Sequence, residues 1–243
     1  MTVSLTIVKY KKVFVPFAFL AMAFFRFPLW LGKRNHFWKL MGSGKGGSFS
    51  KRPDFQQWAI LTASNLHFKH IQLKNSSPEI VIRRLYGPFI SWWLNLFKCE
   101  TTTYLLVPVE GHGRWDGKNA FGELPKKSDY DGKIAVLTRA SIRLKQQKRF
   151  WSHVQSVSDS MHKAEGFIKS YGIGEMPYFK QATFSIWENK TAMKQFAYQT
   201  QEHTDVIEKT RKENWYSEDM FVRFRIDGCI SSSYKNNPLR GKL

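Results

Sequence analysis

The chain has 243 residues, 42% of them hydrophobic, with two cysteines, Cys99 and Cys229, that lack C-x-x-C spacing. That composition supports a full core and argues against disorder, a disulfide scaffold and cysteine-held zinc or iron–sulfur sites, and it fits a reducing compartment. The formal charge of +19 is uneven, with 15 Lys+Arg against 3 Asp+Glu in residues 1–100 and 23 against 16 beyond, a field that attracts nucleic acid, anionic lipid or an acidic partner.

In chain order, Ser4 to Tyr10 reads as a strand and Val13 to Leu31 as a helix. Val13 to Phe25 is an unbroken apolar run behind Lys9, Lys11 and Lys12, and Ala21-Met22-Ala23 has the look of a signal-peptidase site. Cleavage there would remove the first strand and helix. Arg26 and Pro28 interrupt the run before the roughly 20 residues needed to span a bilayer, so it is expected to be a buried or membrane-surface helix. Trp38 to Met41 is a second strand and residues 55–62 a third. Helical spacing then covers Ser64 to Phe97, broken near Ser76-Ser77-Pro78 and at Pro88. Thr102 to Val109 closes this half, and Gly111 to Asp131 reads as a linker.

The second half repeats the order. Ala135 to Ser141 is a strand, and Lys148 to Lys163 a helix with Phe150, Val154, Val157 and Met161 on one face. Gly166 to Tyr171 runs extended into Gly172 and Gly174, followed by the strand Phe179 to Trp187. A long helix opens at Asn189, a candidate N-cap, and reaches about Asn214; Phe221 to Ile226 is the closing strand. Phe37-Trp-Lys-Leu-Met-Gly-Ser-Gly44 and Phe167-Ile-Lys-Ser-Tyr-Gly-Ile-Gly174 share the pattern F-x-K-x-x-G-x-G. The expected fold is therefore α+β, two tandem ferredoxin-like β-α-β-β-α-β repeats packed sheet to sheet as a single-chain α+β barrel. Its divisions are 1–110, a linker at 111–132, 133–230, and a basic tail at 231–243.

Along the Phe179 to Trp187 strand, Ala182, Phe184 and Ile186 are expected to face the helices. Gln181, Thr183, Ser185 and Trp187 lie opposite, more polar than a dry core, which points to a lined cavity or to ordinary hydrogen-bonded polar residues. The paired glycines do not make a phosphate loop, because no G-K-[ST] follows and each run leads into another strand. The RNP pattern of RNA-binding sheets is missing, so nucleic acid is not the expected partner.

Several further strings extend over nearly the whole chain: Trp58-Ala-Ile-Leu61, Leu137-Thr-Arg-Ala140, Gln181-Ala-Thr-Phe-Ser-Ile-Trp187, Phe196-Ala-Tyr198 with His203, and Trp215-Tyr-Ser-Glu-Asp-Met-Phe-Val-Arg-Phe224. With the Phe37 string they resemble the spheroidene monooxygenase family of carotenoid-modifying enzymes. The resemblance implies oxygen-dependent oxidation of a carotenoid near the end of an acyclic polyene, a haem cofactor, and electrons from a reduced donor such as ferredoxin. It also fits a cytoplasmic protein peripheral to the inner membrane. A non-catalytic carotenoid or haem binder on the same fold is the alternative.

A haem needs a protein axial ligand, and seven His are available. His203 is the choice, because Met193, Phe196, Thr200, His203 and Ile207 follow helical steps. Lys169, Arg139 and Arg225 are candidates for the propionates, although Arg139, Arg223 and Arg225 could instead pair with Glu218 or Asp227. Gln181 and Trp187 are lining candidates. Lys39 is expected to send its ammonium to solvent. His153 and His162 read as surface or helix-end residues, and His67 and His70 as a pair without a carboxylate companion.

Overall fold

The computed structural model describes residues 1–32, 35–65, 76–199, 209–210, 212–233 and 239. The chain divides into two compact units, one of Met1–Gly42, Asp54–Val107 and Ile226–Leu243, the other of Ser43–Pro53 and Pro108–Arg225.

In the first unit, β1 (Thr2–Lys9) leads to α1 (Val15–Phe24) and α2 (Arg26–Leu31), then β2 (Asn35–Gly44) and β3 (Pro53–Ser64). Next come α3 (Pro78–Tyr86), α4 (Pro88–Leu96) and β4 (Glu100–Gly113). The single helix expected over Val13 to Leu31 is split at Phe25. Pro28 causes this, since it has no N–H to bond the Phe24 carbonyl and its ring crowds that oxygen. Ser77 Oγ accepts from the Ile80 amide to cap α3, and Gly87, at φ 92°, turns the chain into Pro88. α3 begins at Pro78, and the break at Pro88 falls where that proline placed it. β3 runs through Ser64, so the helical reading of that residue is corrected; residues 66–75 lie outside the described residues.

β1 is the central strand here, antiparallel to β3 (Leu5 opposite Leu61) and to β4 (Leu5 opposite Tyr104). Ala18, Ala21, Phe25 and Leu29 recur at steps of three and four and join one core with Val81, Ile82, Ile90, Trp93 and the strand residue Val8.

In the second unit, β5 (Ile134–Ile142) is followed by α5 (Gln147–Lys163), β6 (Phe167–Met176), β7 (Lys180–Trp187), α6 (Lys190–Gln199) and β8 (Tyr216–Ser231). β5 takes the central place, antiparallel to β7 (Thr138 opposite Thr183) and β8 (Thr138 opposite Phe221). Asn189 Oδ1 accepts from the Ala192 amide at 2.8 Å, the expected cap. The far end of the helix expected to reach Asn214, from residue 200 to 208, lies outside the described residues.

The repeated glycines answer to close backbone approach. A Cβ on Gly172 would stand 2.4 Å from both Phe49 Cα and Ser48 O, and Ser43 Oγ donates to the Gly172 carbonyl at 3.0 Å. The strands close into an eight-stranded barrel in the order β1-β3-β2-β6-β7-β5-β8-β4, the α+β class that the alternating strands and helices implied.

Candidate functional site

Between the helices and the outward sheet face of the second unit lies a cavity of about 190 Å³. Its helical wall is Val154, Val157 and Met161 from α5 with Met193, Phe196 and Ala197 from α6. Its floor is Val136, Thr138 and Ala140 of β5 with Thr183, Ser185 and Trp187 of β7, and Tyr216, Phe221 and Phe49 complete the rim. Strand alternation builds this floor, because residues two apart share a face.

The two faces of β7 are thus the reverse of the sequence reading. The polar row of Gln181, Thr183, Ser185 and Trp187 meets the helices and the cavity, which Ala182 of the other row also lines, while Phe184 and Ile186 are buried without lining it. Trp187 Nε1 donates to Ser185 Oγ at 3.0 Å. The indole stacks on Phe196 at 5.3 Å and meets Phe167 edge-on at 5.4 Å, which fixes it as a flat wall. Gln181 Nε2 donates to the Met176 carbonyl.

Among its described residues, the first unit fills the same face. Ser4 and Thr6 of β1 are met there by Tyr86 of α3, whose hydroxyl lies 3.0 Å from Ser4 Oγ and 2.6 Å from Thr6 Oγ1. Ser4 also bonds Thr62, and Thr6 bonds Thr103. Each buried hydroxyl therefore has a partner. Burial lifts the Tyr86 phenol to about 12.

His153 is the cavity residue that sequence reading missed. It follows Phe150 by three residues and precedes Val157 by four, so it shares their stripe on α5. Its Nδ1 lies 2.9 Å from the Arg149 carbonyl and 3.2 Å from Ser152 Oγ. A carbonyl only accepts, so Nδ1 carries a proton toward it. Lys209 Nζ is 3.4 Å from Nε2. Tyr216, with burial as the largest cause, is raised to about 12 and stays a neutral donor.

The basic candidates lie elsewhere. Arg139 is fully buried away from the cavity lining, with Nη1 donating to Glu218 and Nη2 to Asp116 at 3.1 Å. Glu175 is 3.7 Å from Nη2, and the guanidinium stands over Trp115, whose indole donates to Glu175 at 2.6 Å. Burial alone would raise the Glu218 carboxyl. The Gly117 and Asp116 amides and Arg139 outweigh it, so the group is held below the ordinary carboxylate range. This is the Glu218 pairing that sequence reading set beside the propionate role. Arg223 donates to buried Glu110, which also receives Lys190 and the Ser128 amide; Glu218 and Asp227 were the partners expected. Arg225 is exposed, and Lys169 is exposed with its ammonium 5.7 Å from the Tyr171 ring. Neither lines the cavity. Lys39 stands 5.6 Å over Phe37. His203, His67 and His70 lie outside the described residues. Among the described residues, no three His, Cys, Asp or Glu side chains gather as a metal site.

An iron porphyrin asks for a flat apolar seat and one axial nitrogen. Met161, Met193, Phe196 and Trp187 supply the seat. His153 supplies an imidazole whose Nδ1 is already anchored to a carbonyl, the arrangement that orients a ligating Nε2. The donors present fit the group. The enclosed space is smaller than the ~300–1,000 Å³ of pockets that surround a ligand, so by itself it takes part of a macrocycle.

No protein-family model matches the sequence. The chain is 32% identical over 230 residues to the spheroidene monooxygenase of Rhodobacter capsulatus, covering 94% of this chain and 91% of that one. It is 32% identical over 206 residues to that of Cereibacter sphaeroides, covering 84% of this chain and 59% of that one, so it spans under two thirds of this second relative. Among solved structures, aldoxime dehydratase superposes with a TM-score of 0.60 at 8% identity, covering 98% of this chain and 86% of that one. This is a likeness of fold alone.

Proposed function

Given that the chain belongs to the spheroidene monooxygenase family, we propose that it oxidises a carotenoid, inserting oxygen as a keto or hydroxyl group, with the cavity of the second unit as the site and haem as the cofactor. Molecular oxygen is the co-substrate and a reduced donor such as ferredoxin supplies the electrons. A cytoplasmic location beside the inner membrane belongs to the same reading. One observation carries it. The second unit leaves open, and lines with thioethers, aromatic rings and an imidazole, the face that Tyr86 fills in the first.

Haem, when bound, would supply the activation of oxygen. The chain's own residues do the rest. Trp187 and Phe196 present stacked rings to a flat apolar ligand and exclude water. Thr138, Thr183 and Ser185 give the floor hydroxyls that can donate to an oxygen atom on the ligand. Two imidazoles are available as axial ligand. His203 has the spacing, seven residues beyond the cavity residue Phe196. His153 has the anchored ring. Lys209, beside His153, brings a cation toward any carboxylate on the ligand.

The test is the absorption spectrum of purified protein titrated with haemin, for wild type, His203→Ala and His153→Ala. A saturable Soret band lost in one of the variants supports the reading and assigns the ligand. Wild-type protein that leaves haemin spectrally free, yet retains carotenoid when made in a pigment-producing host, turns the reading into the non-catalytic binder.

A further inference from the structure

We propose that the outward face of α1, α2 and α4 docks on an anionic lipid bilayer. The inference rests on the membrane-side location in the oxygenase reading and gives it a surface; its observations come from the helices of the first unit alone.

Two apolar stripes run along α1 and α2. The inner one packs on the core. The outer one is Val13, Phe17, Leu20, Phe24, Phe27 and Leu31, again at steps of three and four, and it faces outward. Val13 is 72% exposed, Phe27 65% and Trp30 72%. α4 continues the surface, with Phe89 and Leu96 exposed and Trp92 55% exposed. Phe25 meets Phe89 edge-on and Phe24 meets Trp93, so the two helical stretches form one aromatic surface. Scattered exposed apolar residues are normal on a soluble protein; a contiguous run of this size marks an interaction site.

Length and composition would let Lys12–Leu31, 20 residues, cross a membrane. The inner stripe rules out lipid all round, because Ala18, Ala21, Phe25 and Leu29 are buried against the unit's own core. A helix with one face on protein and the other apolar and rich in Phe and Trp lies in the membrane interface.

Charge selects the occupant. Residues 1–53 contain no Asp or Glu, and Lys11, Lys12 and Arg26 are exposed at the ends of the two helices. A second copy bringing the same face would set these cations against their own duplicates. An anionic leaflet complements them, and each added Lys or Arg strengthens adsorption.

The experiment uses the full chain and lipid vesicles, with no carotenoid or haemin, so its failure leaves the oxygenase reading standing. Wild type is expected to sediment with vesicles of equal parts phosphatidylglycerol and phosphatidylcholine. The double variant Phe27→Glu/Trp30→Glu should bind at least about tenfold more weakly, as apolar transfer accounts for most of interfacial binding. Lys11→Glu/Lys12→Glu should also lose binding to these vesicles, and raised salt should weaken the binding of wild type. Thermal unfolding of each variant serves as the folding control, since all four positions are exposed. Wild-type protein that stays in the supernatant overturns the proposal. So does a wild-type dimer that Phe27→Glu/Trp30→Glu dissociates without any vesicle binding, which would assign the face to a second copy.

Discussion

Tyr86 reaches across from α3 to place its hydroxyl 2.6 Å from Thr6 on the central strand of the first unit. That one contact separates the two halves of a duplicated chain. Among the described residues, one is filled between helix and sheet; its counterpart keeps a cavity at the matching strand. Tyr86→Phe should destabilise the chain by about 1–3 kcal/mol, because Ser4 and Thr6 lose a buried partner. Thermal unfolding measures this. The same variant should leave ligand uptake in the second unit unchanged.

Glu218 sets an acid limit to stability. Its folded carboxyl lies below the ordinary range, against about 4.3 for an unfolded Glu. Its contribution is therefore complete above about pH 4.3 and disappears as pH falls through the lower, folded value. Glu218→Gln should cost about 1–3 kcal/mol near neutrality, since Arg139 keeps Asp116 and Glu175. The acid limb of the unfolding curve should also flatten. Denaturant titrations from pH 3 to 7, roughly spanning that range, read both effects.

Gly172 carries no side chain because the Ser48-Phe49 backbone occupies the space. Gly172→Ala should lower stability by about 1–3 kcal/mol, as expected for overpacking against a backbone that must shift. Equilibrium unfolding checks it, and a neutral result would mean that the segment moves freely.

How much of this was legible beforehand follows from what each signal encodes. Alternation in β7 gave two rows, Gln181-Thr183-Ser185-Trp187 and Ala182-Phe184-Ile186, because side-chain period is a local property. Assigning the apolar row to the helices rested on hydrophobicity alone, and the polar row meets them instead. Proline and glycine placed the start of α3 at Pro78 and the break at Pro88, since their effects are confined to one turn. The split at Phe25 was equally local, through Pro28, yet the continuous apolarity of Val13 to Phe25 masked it. Ion-pair partners are set by topology. Arg139 pairs with Glu218 because β5 and β8 are neighbours, one of the two carboxylates that residue type suggested. Arg223 takes Glu110 from β4, a residue that sequence reading placed beside the linker and gave no role. His153 reads as a surface residue by type, although the stripe Phe150, Val154, Val157 contains it.

Filling the open face of the second unit shows whether it is the ligand site. Ala197 stands on the helical wall of the cavity. Haemin binding, followed at the Soret band for wild type, Tyr86→Phe and Ala197→Phe, is predicted to be saturable in the first two. In Ala197→Phe it should weaken by at least about tenfold, the equivalent of 1.4 kcal/mol. Ala197→Phe protein that folds and binds haemin as tightly as wild type would contradict the account.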